Sequence, residues 1–117
     1  MNKFMEIIFS EKIDNILSIK GIFLGSIGIN NWALSGIDVL YVLKQFENMH
    51  IAVSGGDVCE RLNNGKMELN YDNWYYDKDS NKSKYENINA SLRYAELYIK
   101  NYNGLSGNIY FILVPDI

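Results

Sequence analysis

Ile51-Ala52-Val53-Ser54-Gly55-Gly56-Asp57-Val58 is the stretch on which the fold turns: an apolar run meets a diglycine and then an acid. The run predicts a short buried strand over 51–53. Gly55 and Gly56 permit φ > 0 or the close approach of another backbone, so they mark a bulge, a tight bend or a strand end at which Asp57 is re-aimed. They are not a phosphate loop, because neither Gly-x-Gly-x-x-Gly nor the Lys-Ser/Thr of a Walker motif is present.

Beyond the diglycine, Val58 and Leu62 flank the polar Glu60 and Arg61, so extended structure resumes. Asn63-Asn64-Gly65 is a hairpin signal, and 66–71 supplies the returning, antiparallel strand. The segment 70–83 is rich in Asp, Asn and Ser and reads as a loop with aromatic anchors. Tyr85, Ile88, Leu92, Ala95, Ile99 and Tyr102 then recur at spacings of three and four, predicting a helix that faces a core and stops at Asn103-Gly104. Ile109-Tyr110-Phe111-Ile112-Leu113-Val114 is a continuous apolar strand of the kind found in mid-sheet, stopped by Pro115.

Upstream, Ser10 caps a helix with Ile13, Ile16 and Leu17 on one face, and Gly21 ends it. Residues 21–31 are punctuated by glycine and read as loop or short extended structure leading to Trp32. From Ser35 a second helix carries Asp38 in its first turn, presents Val39, Leu40, Val42, Leu43 and Phe46 to the core, and ends near Asn48. The expected architecture is α+β or α/β: a small mixed sheet of three to five strands covered by two to three helices, in one domain spanning 1–117.

At 117 residues, 48% hydrophobic and 21% charged, the chain can bury a core without staples. The single cysteine, Cys59, forms no internal disulfide, fits a reducing cytoplasm and reads as a small half-buried apolar residue. The charges that follow Met1-Asn2-Lys3-Phe4-Met5 rule out a signal-peptide pattern, and no stretch has the length of a membrane span. A net charge of −3 argues against direct nucleic-acid binding and favours a basic protein partner.

Little catalytic chemistry is legible. Asp57 with Cys59 or His50 is the one set from which a small hydrolase or transferase could be built, and it lacks an orienting third group. One Cys and one His do not make a zinc site. Asp77-Lys78-Asp79-Ser80-Asn81 begins like a calcium loop but places Lys82 and Ile88 where Gly and Glu are needed. No metal or cofactor is expected.

Aromatic residues among acids are more informative. Between Glu68 and Asp79 stand Glu68, Asp72, Asp77 and Asp79 against Lys78, a local charge of −3, interleaved with Tyr71, Trp74, Tyr75 and Tyr76. Tyr and Trp serve interfaces as rigid anchors, and an acidic rim steers a basic partner onto them. The candidate contact residues are Asp57, Glu60, Asp72, Trp74, Tyr75, Tyr76 and Asp77, with Trp74 equally suited to pinning the loop onto the core. Exposed tyrosines also permit a homodimer.

Gly28-Ile29-Asn30-Asn31-Trp32-Ala33-Leu34, Gly55-Gly56-Asp57-Val58, Asn70-Tyr71-Asp72-Asn73-Trp74-Tyr75 and a final helix plus strand together resemble the Imm40 family of bacterial immunity proteins over nearly the whole chain. The resemblance departs where the family's aliphatic-Leu-Gly-Gly-Asp-Val-Tyr has Ser54 and Cys59 here. It implies a non-enzymatic inhibitor, encoded beside a secreted polymorphic toxin, that binds the toxin domain in the cytoplasm of the producing cell. Trp32, Gly55, Gly56, Asp57 and Trp74 are the motif positions it carries over, as structural or as toxin-binding residues.

Overall fold

In the computed structural model, which describes residues 6–102 and 107–117, three helices cover one face of a five-stranded sheet. Met1-Met5 and the expected Asn103-Gly104 stop lie outside the described residues. Helix α1 (Glu11–Lys20) is capped by Ser10 Oγ, which accepts the Ile13 N–H at 3.1 Å. Strand β1 (Ile22–Phe23), a single 3-10 turn and β2 (Trp32–Ser35) follow, and Ser35 caps α2 (Gly36–Asn48). Strands β3 (Ala52–Arg61) and β4 (Met67–Tyr75) form the hairpin, with Gly65 at φ 85° in its turn. Helix α3 (Lys84–Asn101) starts from a reciprocal Ser83/Glu86 capping box, and β5 (Ile109–Asp116) ends the chain's regular structure.

The strand order is β1-β2-β5-β3-β4 and every pairing is antiparallel, which replaces the expected mixed sheet and the α/β option. The reason is topological. Helix α2 links β2 to β3, and α3 links β4 to β5; within each pair the strands run parallel but are separated by one strand. The two βαβ units are therefore split and interleaved, and antiparallel neighbours fill both gaps. As expected, β5 sits inside the sheet, between β2 and β3.

Three local expectations are corrected. Strand β3 is one ten-residue strand through the diglycine, not a short strand over 51–53, and its register shift between Val53 and Gly55 is the bulge that stood among the three readings of the site. Residues 70–75 belong to β4, not to a loop: their turn-like composition serves an irregularity at Tyr71, where φ is 70° and Asn70 Oδ1 accepts the Asp72 N–H at 3.0 Å. Pro115 does not stop β5, which continues to Asp116. Strand β2 pairs with β5 only as far as Ile112, so Pro115 has a strand neighbour on one side, the edge-like setting that tolerates proline.

The main core lies between sheet and helices. Leu17, Val39, Phe46, Leu92 and Ile99 from the helices close on Leu34, Val53, Val58, Trp74, Phe111 and Leu113 from the sheet. On the opposite face a smaller cluster forms from Leu24, Ala33, Cys59 and Ile112, with Ile29, Met67, Leu69 and Tyr110 packed against it. Ser91 stitches α3 to β3: its buried Oγ accepts the Val53 N–H at 3.1 Å and donates to the Ile88 carbonyl at 2.8 Å. Replacing Ser91 by Ala leaves the Val53 N–H unsatisfied, so urea unfolding should show a loss of about 1–2 kcal/mol. An unchanged midpoint would show that water reaches this N–H.

Candidate functional site

The β3–β4 hairpin carries all but two of the predicted contact residues, and strand alternation sends them to opposite sides. Pairs directly across from one another share a face, so the open face reads off in rows: Val114, Gly55 and Tyr75; then Ala33, Ile112, Asp57 and Asn73; then Tyr110, Cys59 and Leu69. Asp57 and Tyr75 therefore lie on the helix-free face, and Tyr75 is 68% exposed. Glu60 and Asp72 lie on the other side, beside the last turn of α3. There Tyr102 Oη donates to Asp72 Oδ2 at 2.6 Å, which raises the phenol's pKa above its ordinary value, and Glu60 stands directly across from Glu68.

The remaining candidates separate further. Trp74 is in the core, its ring 4.8 Å from that of Tyr98, and its indole N–H is buried with no hydrogen-bond acceptor. Tyr76 is half-buried: its hydroxyl donates to Asn87 Oδ1 at 2.9 Å and its ring rests against Tyr94. Asp77, which like Tyr76 lies beyond β4, is exposed in the connection to α3. The continuous acidic loop is thus divided. Asp79 is spent on the Asn81 N–H and the Lys82 ammonium, which hold its carboxyl below the ordinary range, and Lys78 pairs with Asp116 at 2.9 Å.

Of the motif positions, Trp32 is buried beneath α1 and α2, and Gly55 and Gly56 are bare because of close approach, not left-handed φ. A Cβ on Gly55 would lie 2.4 Å from the Trp74 carbonyl oxygen; one on Gly56 would lie 2.2 Å from Trp74 Cη2 and 2.5 Å from the Ile112 carbonyl oxygen. Asp57 is different. It is half-buried, burial pushes its carboxyl above the usual range, and it has no hydrogen-bond or ion-pair partner among the described residues. The groups facing it are Cys59 on its own strand, Asn73 on β4 and Ile112 on β5.

The hydrolase or transferase set does not assemble. Cys59 is fully buried, unlike the half-buried residue expected, and burial together with Asp57 pushes its thiol up to about 12. His50 is exposed beyond the end of α2 at φ 57°, its ring 5.5 Å from Tyr85, while nine residues of largely extended chain, about 30 Å at strand rise, separate it from Cys59. A thiol so held reacts as a small hydrophobe. Ellman's reagent should leave the native protein unlabelled and react fully in guanidinium; fast native labelling would refute the burial.

A cleft of about 790 Å³ opens at the end of the sheet, lined by His50, Ser54, Tyr75, Lys84 and Asn87 among others. Its polar groups are mostly engaged internally. Asn87 takes the Tyr76 hydroxyl and the Asp79 N–H, and Ser91 holds Val53. No set of three or more metal-ligating side chains occurs among the described residues. Sequence reasoning missed Tyr71, 82% exposed on the edge strand, and Arg61, which stacks over Tyr110 at 6.0 Å and donates to its hydroxyl. Both are identifiable only once the strand register is known.

These features define a small α+β protein whose one helix-free sheet face and exposed hairpin aromatics are suited to contact with another macromolecule. The chain belongs to the Imm40 family, Immunity protein 40, whose profile matches residues 23–115 of the 117. No curated protein matches it significantly. The match takes in β2, α2, the hairpin and α3, and begins after α1. Among the described residues, no helix is long and apolar enough to cross a membrane.

Proposed function

We propose that this protein is an immunity protein that binds a toxin domain in the cytoplasm of the cell that makes it, and neutralises the toxin by covering its active site or substrate channel. Membership of the Imm40 family is the observation that carries this reading. The hairpin supports it: Tyr71 and Tyr75 are exposed large aromatics on an edge strand, and Asp57, Glu68 and Asp77 have no internal partner among the described residues. Acidic groups of this kind speed encounter with a basic partner, and rigid aromatic rings slow its departure. A net charge of −3 favours such a partner.

The test is co-expression with the toxin encoded alongside, followed by size-exclusion chromatography and calorimetry of the purified pair. Protection together with a stoichiometric complex is the expected result. Protection without any complex would sink the binding mechanism and favour an enzymatic antidote. At two salt concentrations, removing the charge of Asp77 should slow association and weaken its salt dependence, whereas Tyr75→Ala should speed dissociation at least tenfold.

A further inference from the structure

The helix-free face holds one arrangement that packing alone does not explain. Asp57 stands near the middle of the sheet on β3, and across from it are the methylenes of Ile112 on one side and the neutral amide of Asn73 on the other. A partly desolvated carboxylate is ordinarily matched by a cation or by several N–H donors. Asp57 has neither. Arg61, the basic residue of β3, is four positions along the strand, about 13 Å away at strand rise, and is engaged by Tyr110.

Two residues before Asp57 on the same face stands Gly55, buried and without a side chain. Side chains rise only from its cross-strand partners, Val114 at 37% exposure and Tyr75 at 68%. The Trp74 carbonyl oxygen lies where a Cβ of Gly55 would stand, so the backbone of β4 keeps a third side chain out of this row. The exposed ring of Tyr75 and the isopropyl group of Val114 therefore stand in the row next to a carboxylate that has no partner among the described residues. An aliphatic stem ending in a positive charge has these properties in the same order: methylenes to lie against Tyr75 and Val114, and a cationic head for Asp57.

We propose that the helix-free sheet face is the toxin-docking surface, and that a lysine or arginine side chain of the toxin domain lies against Tyr75 and Val114 and pairs with Asp57. The inference rests on the immunity reading and adds to it the face used and the chemistry of the partner's central contact. Around that contact the partly buried Leu69, Met67 and Tyr110 supply an apolar surround, the arrangement in which a charged contact is strongest. Glu60 and Asp72, on the opposite side of the hairpin, remain outside the contact.

The experiment measures binding of the adjacently encoded toxin domain to the intact protein and three variants, with the melting temperature of each free variant. Asp57→Asn should weaken binding 10- to 100-fold, chiefly through faster dissociation, and should leave the melting temperature unchanged or raised, because an unpaired charge has been removed. Asn73→Lys places an ammonium directly across from Asp57 and should block the toxin to a similar extent in a folded protein. Asp72→Asn should change affinity less than threefold. Replacing toxin lysines and arginines one at a time by Met should reveal one cation whose loss is not additive with Asp57→Asn.

If the wild-type protein forms no complex, the immunity reading fails and this inference with it. If the wild type binds and folded Asp57→Asn and Asn73→Lys bind equally well, the docking face is wrong while the function stands. Wild-type self-association that Asp57→Asn abolishes would make a second copy of this chain the occupant, and would also overturn the proposal. Should Asp57→Asn fail to fold, Asn73→Lys decides between the first two outcomes.

Discussion

Gly56→Val should yield no cooperatively folded protein, and Gly56→Ala should lose about 3 kcal/mol or more. A Cβ at this position would lie 2.2 Å from Cη2 and 2.6 Å from Cζ2 of Trp74, and 2.5 Å from the carbonyl oxygen of Ile112. The indole is 5% exposed and packed on Tyr98, so it cannot swing aside without leaving the core. Expelling a buried tryptophan costs about 3–5 kcal/mol, against a total stability of roughly 5–15 kcal/mol for a domain of this kind. The carbonyl cannot move at all without breaking the pairing of β3 with β5, in which Gly56 stands opposite Leu113. Valine adds two further methyl groups to the same space.

The two contacts can be separated experimentally. Trp74→Phe removes the outer ring atoms that a Cβ would strike, so the pair Trp74→Phe with Gly56→Ala should be more stable than the sum of the single effects requires. Recovery should be incomplete, because the Ile112 carbonyl remains. Chemical denaturation of the four proteins in the cycle measures the coupling. A Gly56→Ala protein with wild-type stability would show that β3 and β4 stand farther apart than described.

That glycine also shows how far the fold can be read from residues alone. The diglycine announces an unusual backbone, and a bulge is found there; the reason Gly56 must stay bare, a ring 18 positions away, becomes visible only with the strand register. Helices were legible because their signals are local: Ser10 and Ser35 cap where polarity patterns begin, and Ile88, Leu92, Ala95 and Ile99 repeat on one face. Strand direction was not legible, since the sheet becomes antiparallel only when β5 inserts between β2 and β3. For residues 70–75, composition spoke for a loop, but pairing of Trp74 and Tyr75 with the diglycine overrode it.

The candidate site divides along the same line. Charge and aromatic density are legible in residues 68–79, which the fold divides between β4 and the connection to α3. A period of two then distributes neighbours such as Trp74 and Tyr75 to opposite faces, so a cluster in sequence becomes one core residue and one surface residue. What singles out Asp57 is the lack of any partner among the described residues, and a missing partner has no signature in sequence.

Asn31→Ala is expected to have the second-largest effect on stability, roughly 2–4 kcal/mol, from the loss of one small polar side chain. Asn31 is 6% exposed, and its amide completes the sheet where backbone pairing runs out. Strands β2 and β5 are paired only from Ala33 and Ile112 onward. At the next position Asn31 Nδ2 donates to the Leu113 carbonyl at 2.8 Å, while Oδ1 accepts the Trp32 N–H at 2.7 Å. Alanine orphans both backbone groups in a dry setting, each at about 1–3 kcal/mol. The melting temperature should fall by about 8–15 °C. Asn31→Asp separates the two bonds: a carboxylate still accepts from Trp32 but faces the Leu113 carbonyl with no proton to offer, so at neutral pH it should be no more stable than the alanine variant. Protonating that carboxylate restores a donor, so the aspartate variant should gain on the alanine variant as the pH is lowered. Equal pH profiles for the two would show that the Leu113 carbonyl is satisfied by another donor, and that Asn31 acts through Trp32 alone.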